Sequence, residues 1–390
     1  MKSSRPALAV AEDTRIQLFD LQRQRARLEG DIRRRMDAVL AHGQFILGPE
    51  VTQLEQKLAA FAGAGHAIGV SSGRDALTIA MMAMGVKAGD AVFVPAFTFA
   101  ASAASVVSVG ATPVFVDVLA GTFNIDPADL ERAIEETAAA GTLQPRAVMP
   151  VDLFGLPADY TAIAPIAARH GIAVLADAAQ AFGGAAGNKR VGALAPISAT
   201  SFYPTKSLGC YGDGGAILAE DADLAENVRM IRSHGRAGDG DQALVLGLTG
   251  RLDTLQAAIL LAKLEVWDDE VAARGRIGGL YTDALRGACG VPEVAAGNTH
   301  VYAQYTVRVP QRDRVADVLK TAGIPTAVHY PKCLHEQPVF APLGYRLGDF
   351  PESERAAREV LSLPMHPYLD EAAQRRVVTG VLSAVKTGGG

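Results

Sequence analysis

The sequence predicts an α/β protein, a mostly parallel sheet covered by helices on both faces, followed by a smaller α+β unit. Two observations carry this. From about residue 66 to 183, short and nearly continuous apolar runs alternate with stretches whose apolar residues recur at helical spacing; strands buried on both faces and joined by helices indicate a parallel sheet. Beyond residue 270 the alternation thins to an amphipathic helix, one strand (VYAQYTVRVP) and two further helices, which suits a small domain packed on a large one. At 390 residues the chain has room for more than one core. We divide it into a loose tail (1–14), a large domain (15–269) and a small domain (270–390).

Taken in order, Leu21, Leu28, Ile32, Met36 and Val39 share one helical face. Arg23, Arg25, Arg27, Arg33, Arg34 and Arg35 lie largely off it and read as a solvated face. Gly48-Pro49 turns the chain into a second amphipathic helix over about 50–61. A short apolar strand ending at Val70 then runs through Ser71-Ser72-Gly73 directly into an apolar helix. The free amides at such a helix start, with the helix dipole behind them, suit a phosphate. Ser72 and Asp75 equally satisfy an ordinary capping pattern, so this motif alone does not decide. Strand DAVFVP leads to AFTFAASAASVVSVG, TPVFVDV to a helix over about 126–140, RAVMPVDLF to a helix over about 160–170, and IAVLAD to AAQAFGG. Ligands of open α/β sheets sit at the carboxyl ends of the strands, which gathers Ser72, Phe99, Phe154, Asp177 and Gln180 at one edge. The end of the chain, 386–390, reads as frayed.

Composition narrows the function. Hydrophobic residues make up 49% and charged residues 20%, with net charge -5 and pI about 5.9; this is globular and offers no nucleic-acid surface. Cys210, Cys289 and Cys333 are far apart and without CxxC spacing, which points to reduced thiols in the cytoplasm and no metal site. The N-terminus, MKSSRPALAVAEDTR, has too short an apolar core and too early an acidic pair for a secretory signal. The uncharged run 91–116 is broken by Pro95, Gly110 and Pro113, so it reads as strand, helix and strand inside a soluble core rather than a membrane span.

Two residues carry chemistry. Lys206, in the stretch SFYPTKSLGCYGDGG, sits in a turn with no acidic residue among the five before it. A lysine amine with a lowered pKa can attack a carbonyl and form a Schiff base. Asp177 closes the apolar strand IAVLAD, so its carboxylate is carried into a partly buried place, which is costly unless it meets a partner such as a protonated ring nitrogen. A helix-start phosphate cradle, an aromatic shelf, this carboxylate and a Schiff-base lysine are what pyridoxal 5'-phosphate requires.

The motifs GQFILGPEV, VSSGRDAL, VPAFTFAASA, GATPVFVDV, FNIDP, ADAAQAFG, SFYPTKSLGCYGDGGAI, IRSHG, RLDTLQAAILLAKLE, GIPTAVHYPKCLHEQPVF and LSLPMHP together resemble the DegT/DnrJ/EryC1/StrS sugar aminotransferases, of the aspartate aminotransferase fold type. The resemblance covers nearly the whole chain after the first dozen residues. It implies Lys206 as the lysine bonded to the cofactor, Asp177 at the pyridine nitrogen, Gln180 near the phenolic oxygen, and Phe99 stacked on the ring. Ser201 would bind the phosphate with Gly73, Arg74 and Asp75. It further implies a homodimer with shared sites, in which Thr249 and Arg251 of GLTGRLD, and the pair His329-Tyr330, approach from the neighbouring subunit; Arg251, His329 and Tyr330 would contact substrate. Arg74 stands where relatives usually have Thr, and Thr249 where they usually have Asn. The implied reaction moves an amino group from an amino acid, by family expectation glutamate, to a nucleotide-linked keto sugar, with a UDP-linked 3-keto-glucuronate for surface polysaccharide as the narrower reading. A 4-keto-6-deoxy sugar and a non-catalytic regulator are the alternatives. Lys206 argues against the related sugar 3-dehydratase, which has histidine there.

Overall fold

The structure, a computed structural model, describes residues 15–238 and 240–386. The expected loose tail (1–14) and most of the frayed end lie outside the described residues.

The first helix, α1 (Leu21–His42), opens on Asp20, whose carboxylate accepts the Arg23 amide, and stops at Gly43, which has φ 73°. Left-handed backbone costs glycine no steric strain, which is why it ends helices. Leu28, Ile32 and Val39 are buried as the periodicity requires. Proline at its first position starts α2 (Pro49–Ala62). The large sheet is then laid down as β1 (His66–Val70), α3 (Gly73–Ala83), β2 (Asp90–Pro95), α4 (Ala100–Ser108), β3 (Thr112–Val116), α5 (Pro127–Ala140), β4 (Gln144–Val148), α6 (Tyr160–His170) and β5 (Ala173–Asp177). Two short strands, β6 (Ala185–Ala186) and β7 (Lys189–Arg190), precede β8 (Ile197–Ser201) and β9 (Gly215–Ala219). Next come α7 (Ala222–Arg232), α8 (Thr254–Leu264), α9 (Trp267–Leu285) and β10 (Asn298–Thr299), which pairs with β6.

The sheet order is β1-β9-β8-β5-β4-β2-β3. All its pairings are parallel except those of β9, which runs against both β1 and β8. Side chains alternate between faces as strand geometry demands. Val92 and Val94 join the core under α3 and α7, with Leu77, Ile79, Val228 and Ile231; Ala91 and Phe93 join the opposite one under α5 and α6, with Leu130, Ile134, Ile163 and Ile166. At the other end of the sheet, Leu218 packs with Leu54, Leu58 and Leu260 of α2 and α8. Each fully buried Leu, Ile or Phe contributes roughly 1.5–3 kcal/mol, so this sandwich holds the site's floor rigid.

A separate cluster joins Tyr281 and Leu285 of α9 to β11 (Tyr305–Arg308), α10 (Arg312–Thr321), β12 (Val360–Leu363) and α12 (Glu371–Lys386). Two features differ from the sequence reading. The strand expected over VYAQYTVRVP is confined to Tyr305–Arg308, and its antiparallel partner is β12, four residues following α11 (Pro351–Glu359). The segment between them does not stay with this cluster: Leu334, Phe340 and Phe350 pack into the large core, and the Leu334 amide donates to the Ala96 carbonyl just past β2 at 2.8 Å. The chain thereby returns to the carboxyl edge of the large sheet. Among the described residues, no helix is long and apolar enough to cross a membrane.

Candidate active site

At the carboxyl edge β1, β5 and β8 end side by side and β9 begins. Gly215 opposes Val70 on one side and Ser201 on the other, and a Cβ on it would lie 2.6 Å from the Ser72 carbonyl oxygen. The start of α3 is pressed as closely on β8: a Cβ on Gly73 would stand 2.5 Å from the Ser201 Cβ and 2.9 Å from its Oγ. Ser72 Oγ accepts the Asp75 amide at 3.0 Å and Ser71 Oγ donates to the Asp75 carboxylate at 2.5 Å, so the capping reading holds. The first amides of a helix have no intrahelical acceptor. Those of Gly73 and Arg74, close to the Ser201 hydroxyl, could hold an anion, so the capping contacts leave room for the phosphate reading.

Asp177 is 5% exposed. Its Oδ2 accepts the Ser102 hydroxyl of α4 at 2.7 Å and its Oδ1 the Ala179 amide at 3.2 Å. Burial raises its pKa, against the pull of those two bonds and of Lys206. Burial likewise lowers the pKa of half-buried Lys206, and the Asp177 charge opposes that shift. The carboxylate thus lacks a full counter-charge, and the amine is brought toward the neutral, nucleophilic form. Behind Asp177 lies Asp152, whose amide donates to the Asp177 carbonyl at 3.0 Å. Its Oδ1 accepts from the Ala158 amide and the Tyr160 hydroxyl, both at 2.8 Å, and its Oδ2 is buried with no partner. Burial pushes its pKa up to about 7.

Gln180 joins two elements: its Oε1 accepts the Phe154 amide at 2.7 Å and its Nε2 donates to the Tyr330 hydroxyl at 3.0 Å. Phe154 is buried in a 3-10 turn with φ 58°, so it supplies backbone rather than a ring shelf. Phe99 is 54% exposed and its ring centre lies 5.9 Å from that of Tyr330. Its exposed ring is available to cover a flat ligand. His329 bonds through Nδ1 to Ser362 Oγ of β12 at 3.1 Å, and burial with the Lys206 charge lowers its pKa. The small antiparallel pair therefore delivers His329 and Tyr330 to this chain's own Gln180 and Lys206. This corrects the expectation that the pair arrives from a neighbouring subunit: the return of the chain past β2 makes the contact intramolecular.

The two departures fall at the rim. Arg74 is exposed and its Nη2 donates to Ser108 Oγ at 3.0 Å, at the far end of α4, which leaves its backbone amide as the group it could offer an anion. Thr249 is exposed, with Oγ1 3.5 Å from His234 Nε2. Next to it, the Gly250 carbonyl accepts the Ser71 amide at 3.0 Å and Arg251 bridges Val70, so GLTGRLD borders the cradle within one chain. Sequence reasoning missed Ser102, which lay in an uncharged run with nothing to mark it.

The assembled groups fit a flat, phosphorylated heteroaromatic aldehyde: amides and Ser201 for the phosphate, Asp177 for a ring N–H, Phe99 for the ring face and Lys206 for the aldehyde. Comparison with known proteins agrees. The model of the DegT/DnrJ/EryC1/StrS aminotransferase family matches residues 26–382. The chain is 47% identical to the UDP-2-acetamido-2-deoxy-3-oxo-D-glucuronate aminotransferase of Pseudomonas aeruginosa, over 92% of this chain and 97% of that one. It is 46% identical to a pleiotropic regulatory protein of Geobacillus stearothermophilus, over 93% and 96% respectively. The crystal structure of S. venezuelae DesV in complex with a ketimine intermediate superposes with TM-score 0.91 at 37% identity, covering 95% of this chain and 99% of that one. A match this complete, over a site of this composition, means that the chain belongs to the DegT/DnrJ/EryC1/StrS aminotransferase family, whose aminotransferases work with pyridoxal phosphate.

Proposed function

We propose that this aminotransferase transfers nitrogen from glutamate to the keto group of a nucleotide-linked sugar, a UDP-3-keto-glucuronate derivative, in the cytoplasm, for surface polysaccharide. The placing of Lys206, in the loop after β8, within charge reach of the buried Asp177 carboxylate at the end of β5 is the observation that supports the reaction class. The sugar rests on likeness to the Pseudomonas aeruginosa relative.

When bound, pyridoxal phosphate supplies an electron sink for the carbanion at the substrate carbon. The chain's own residues do the rest. The amides of Gly73 and Arg74, with Ser201 and the Asp75-braced helix start, hold the phosphate. Asp177, fixed by Ser102 and Ala179, would keep a proton on the ring nitrogen by charge. Phe99 would cover the ring and keep water from it, and Gln180, braced by Phe154 and Tyr330, would be the polar group available to the phenolic oxygen. Lys206, whose amine burial brings toward the neutral form, would be the group to bond the cofactor aldehyde and, when free, to hold or move a proton at Nζ as a general base. His329, whose pKa burial and the Lys206 charge lower, would contact substrate with Tyr330 and Arg251. We further propose a homodimer, with Thr249 at its shared rim.

The test supplies purified enzyme with glutamate and, separately, UDP-linked 3-keto-glucuronate and 4-keto-6-deoxy nucleotide sugars. Amination of the first is expected, and turnover of only the second would overturn the substrate. A protein whose visible absorption does not respond to glutamate would favour the regulator reading, after the Geobacillus stearothermophilus relative's name.

A further inference from the structure

A second lysine grips the loop that carries Lys206 from beneath. Lys263 of α8 is 1% exposed and its Nζ donates to the Gly209 carbonyl oxygen at 2.5 Å, three residues after Lys206. The same Nζ stands 4.5 Å from the centre of the Tyr211 ring. Around it α8 is apolar, with Leu260 and Leu261 packed against Trp267 and Cys210, and a buried ammonium in such a place is costly unless it is bonded. Burial draws its pKa down to about 8, while the Glu270 carboxylate and Cys210 pull the other way.

The loop it holds is tightly closed. The Lys206 amide donates to the Tyr203 carbonyl and the Cys210 amide to that of Phe202, both at 2.8 Å, and the Tyr211 amide is taken by Gln256 Oε1 at 2.8 Å. Gly209 has no room for a side chain, since a Cβ would lie 2.6 Å from the carbonyl oxygens of both Tyr203 and Pro204. Among these ties, that of Lys263 alone is charge-assisted, the stronger kind of hydrogen bond. An apolar residue would fill α8 here at less cost, so the charge marks a use.

We propose that Lys263 is a positioning residue for Lys206: its ammonium, by holding the Gly209 carbonyl, fixes the backbone from which Lys206 meets the cofactor aldehyde. The inference rests on the role of Lys206 proposed above. In the affected step the neutral Lys206 amine adds to the aldehyde carbon, a C=N bond forms, and both amine protons leave with the aldehyde oxygen as water. No electrons change hands.

The test compares wild type with Lys263→Met, which keeps the bulk and removes the charge. Each cofactor-free protein is mixed with pyridoxal phosphate, quenched with borohydride at timed intervals and weighed by mass spectrometry, and its melting temperature is measured alongside. The expected result is a melting temperature within a few degrees of wild type and a rate of covalent trapping lowered about tenfold, with affinity for pyridoxine 5'-phosphate, which has no aldehyde, unchanged. Equal trapping rates would overturn the proposal, as would loss of affinity for both ligands. Failure of wild type to be trapped at Lys206 would instead sink the underlying reading of the site. Should the methionine variant not fold, amide exchange in wild type decides. With Glu270, Cys210 and Tyr211 the groups facing Lys263, exchange of the Lys206 and Cys210 amides, corrected for intrinsic rates, rises above about pH 8. Protection unchanged between about pH 7 and pH 9.5 refutes the proposal.

Discussion

Substituting Gly73 by alanine tests whether the close approach of α3 to β8 is a phosphate cradle. The new Cβ would stand 2.5 Å from the Ser201 Cβ, 2.9 Å from its Oγ and 3.1 Å from its Cα, whereas carbon atoms in contact prefer about 3.5–4.0 Å. The helix start must therefore withdraw by about 1 Å, because two of those atoms belong to the stiff end of a strand. Overpacking of this kind costs about 1–3 kcal/mol, and the gain of alanine over glycine in a helix, up to about 1 kcal/mol, offsets part of it. The net change in stability is small, a few degrees in melting temperature. The change in the cradle is larger: withdrawing the Gly73 and Arg74 amides from Ser201 loses at least one charge-assisted hydrogen bond, about 1.5–3 kcal/mol, or roughly ten- to hundredfold in affinity. Absorbance titration of cofactor-free protein measures this, with pyridoxal as the control that lacks a phosphate. Weakened binding of pyridoxal phosphate with unchanged binding of pyridoxal is expected. Equal weakening of both, or of neither, would refute the assignment.

Three further outcomes follow from the geometry. Asp177→Asn keeps the shape but cannot hold a proton on a ring nitrogen by charge; kcat falls about a thousandfold, while the cofactor-free variant is no less stable at pH 7, because burial already disfavours the carboxylate. Asp152 has a folded pKa raised to about 7 against an unfolded value of about 3.9, so folding binds the proton and stability is lost as pH rises between the two. Asp152→Asn therefore stabilises by about 1–4 kcal/mol in urea melts at pH 8 and much less at pH 4; a gain independent of pH would contradict the assignment. Mixing Lys206→Ala with Tyr330→Ala chains, each inactive alone, restores no activity if Tyr330 serves its own chain, whereas hybrid dimers regaining activity would place it across the subunit boundary.

The parallel strands were legible because burial on both faces makes each a plain apolar run; Asp90–Pro95 is buried at every position. The same property hid the reversal of β9, since GAILA reads alike in either direction and only the neighbours of Gly215 fix it. Strand β12 went unread because four residues after a helix, leading into Pro364, give too short an alternation. In the site, Lys206, Asp177 and Gln180 stood out by residue type at strand ends or in a turn. Ser102, the tie from Gln180 to Tyr330, and Lys263 did not, because each depends on contacts between residues 54–150 positions apart. The placement of His329 and Tyr330 in their own chain goes with contacts such as the Leu334 to Ala96 bond, a tertiary contact no local pattern announces.

The central claim is that Lys206 is the one lysine bonded to the cofactor. Borohydride reduction of the enzyme loaded with pyridoxal phosphate, followed by digestion and mass spectrometry, tests it most directly. A single phosphopyridoxyl group on the peptide containing Lys206, absent from Lys206→Ala, is the predicted result; a label on another lysine, Lys263 included, or its persistence in the variant, would contradict it.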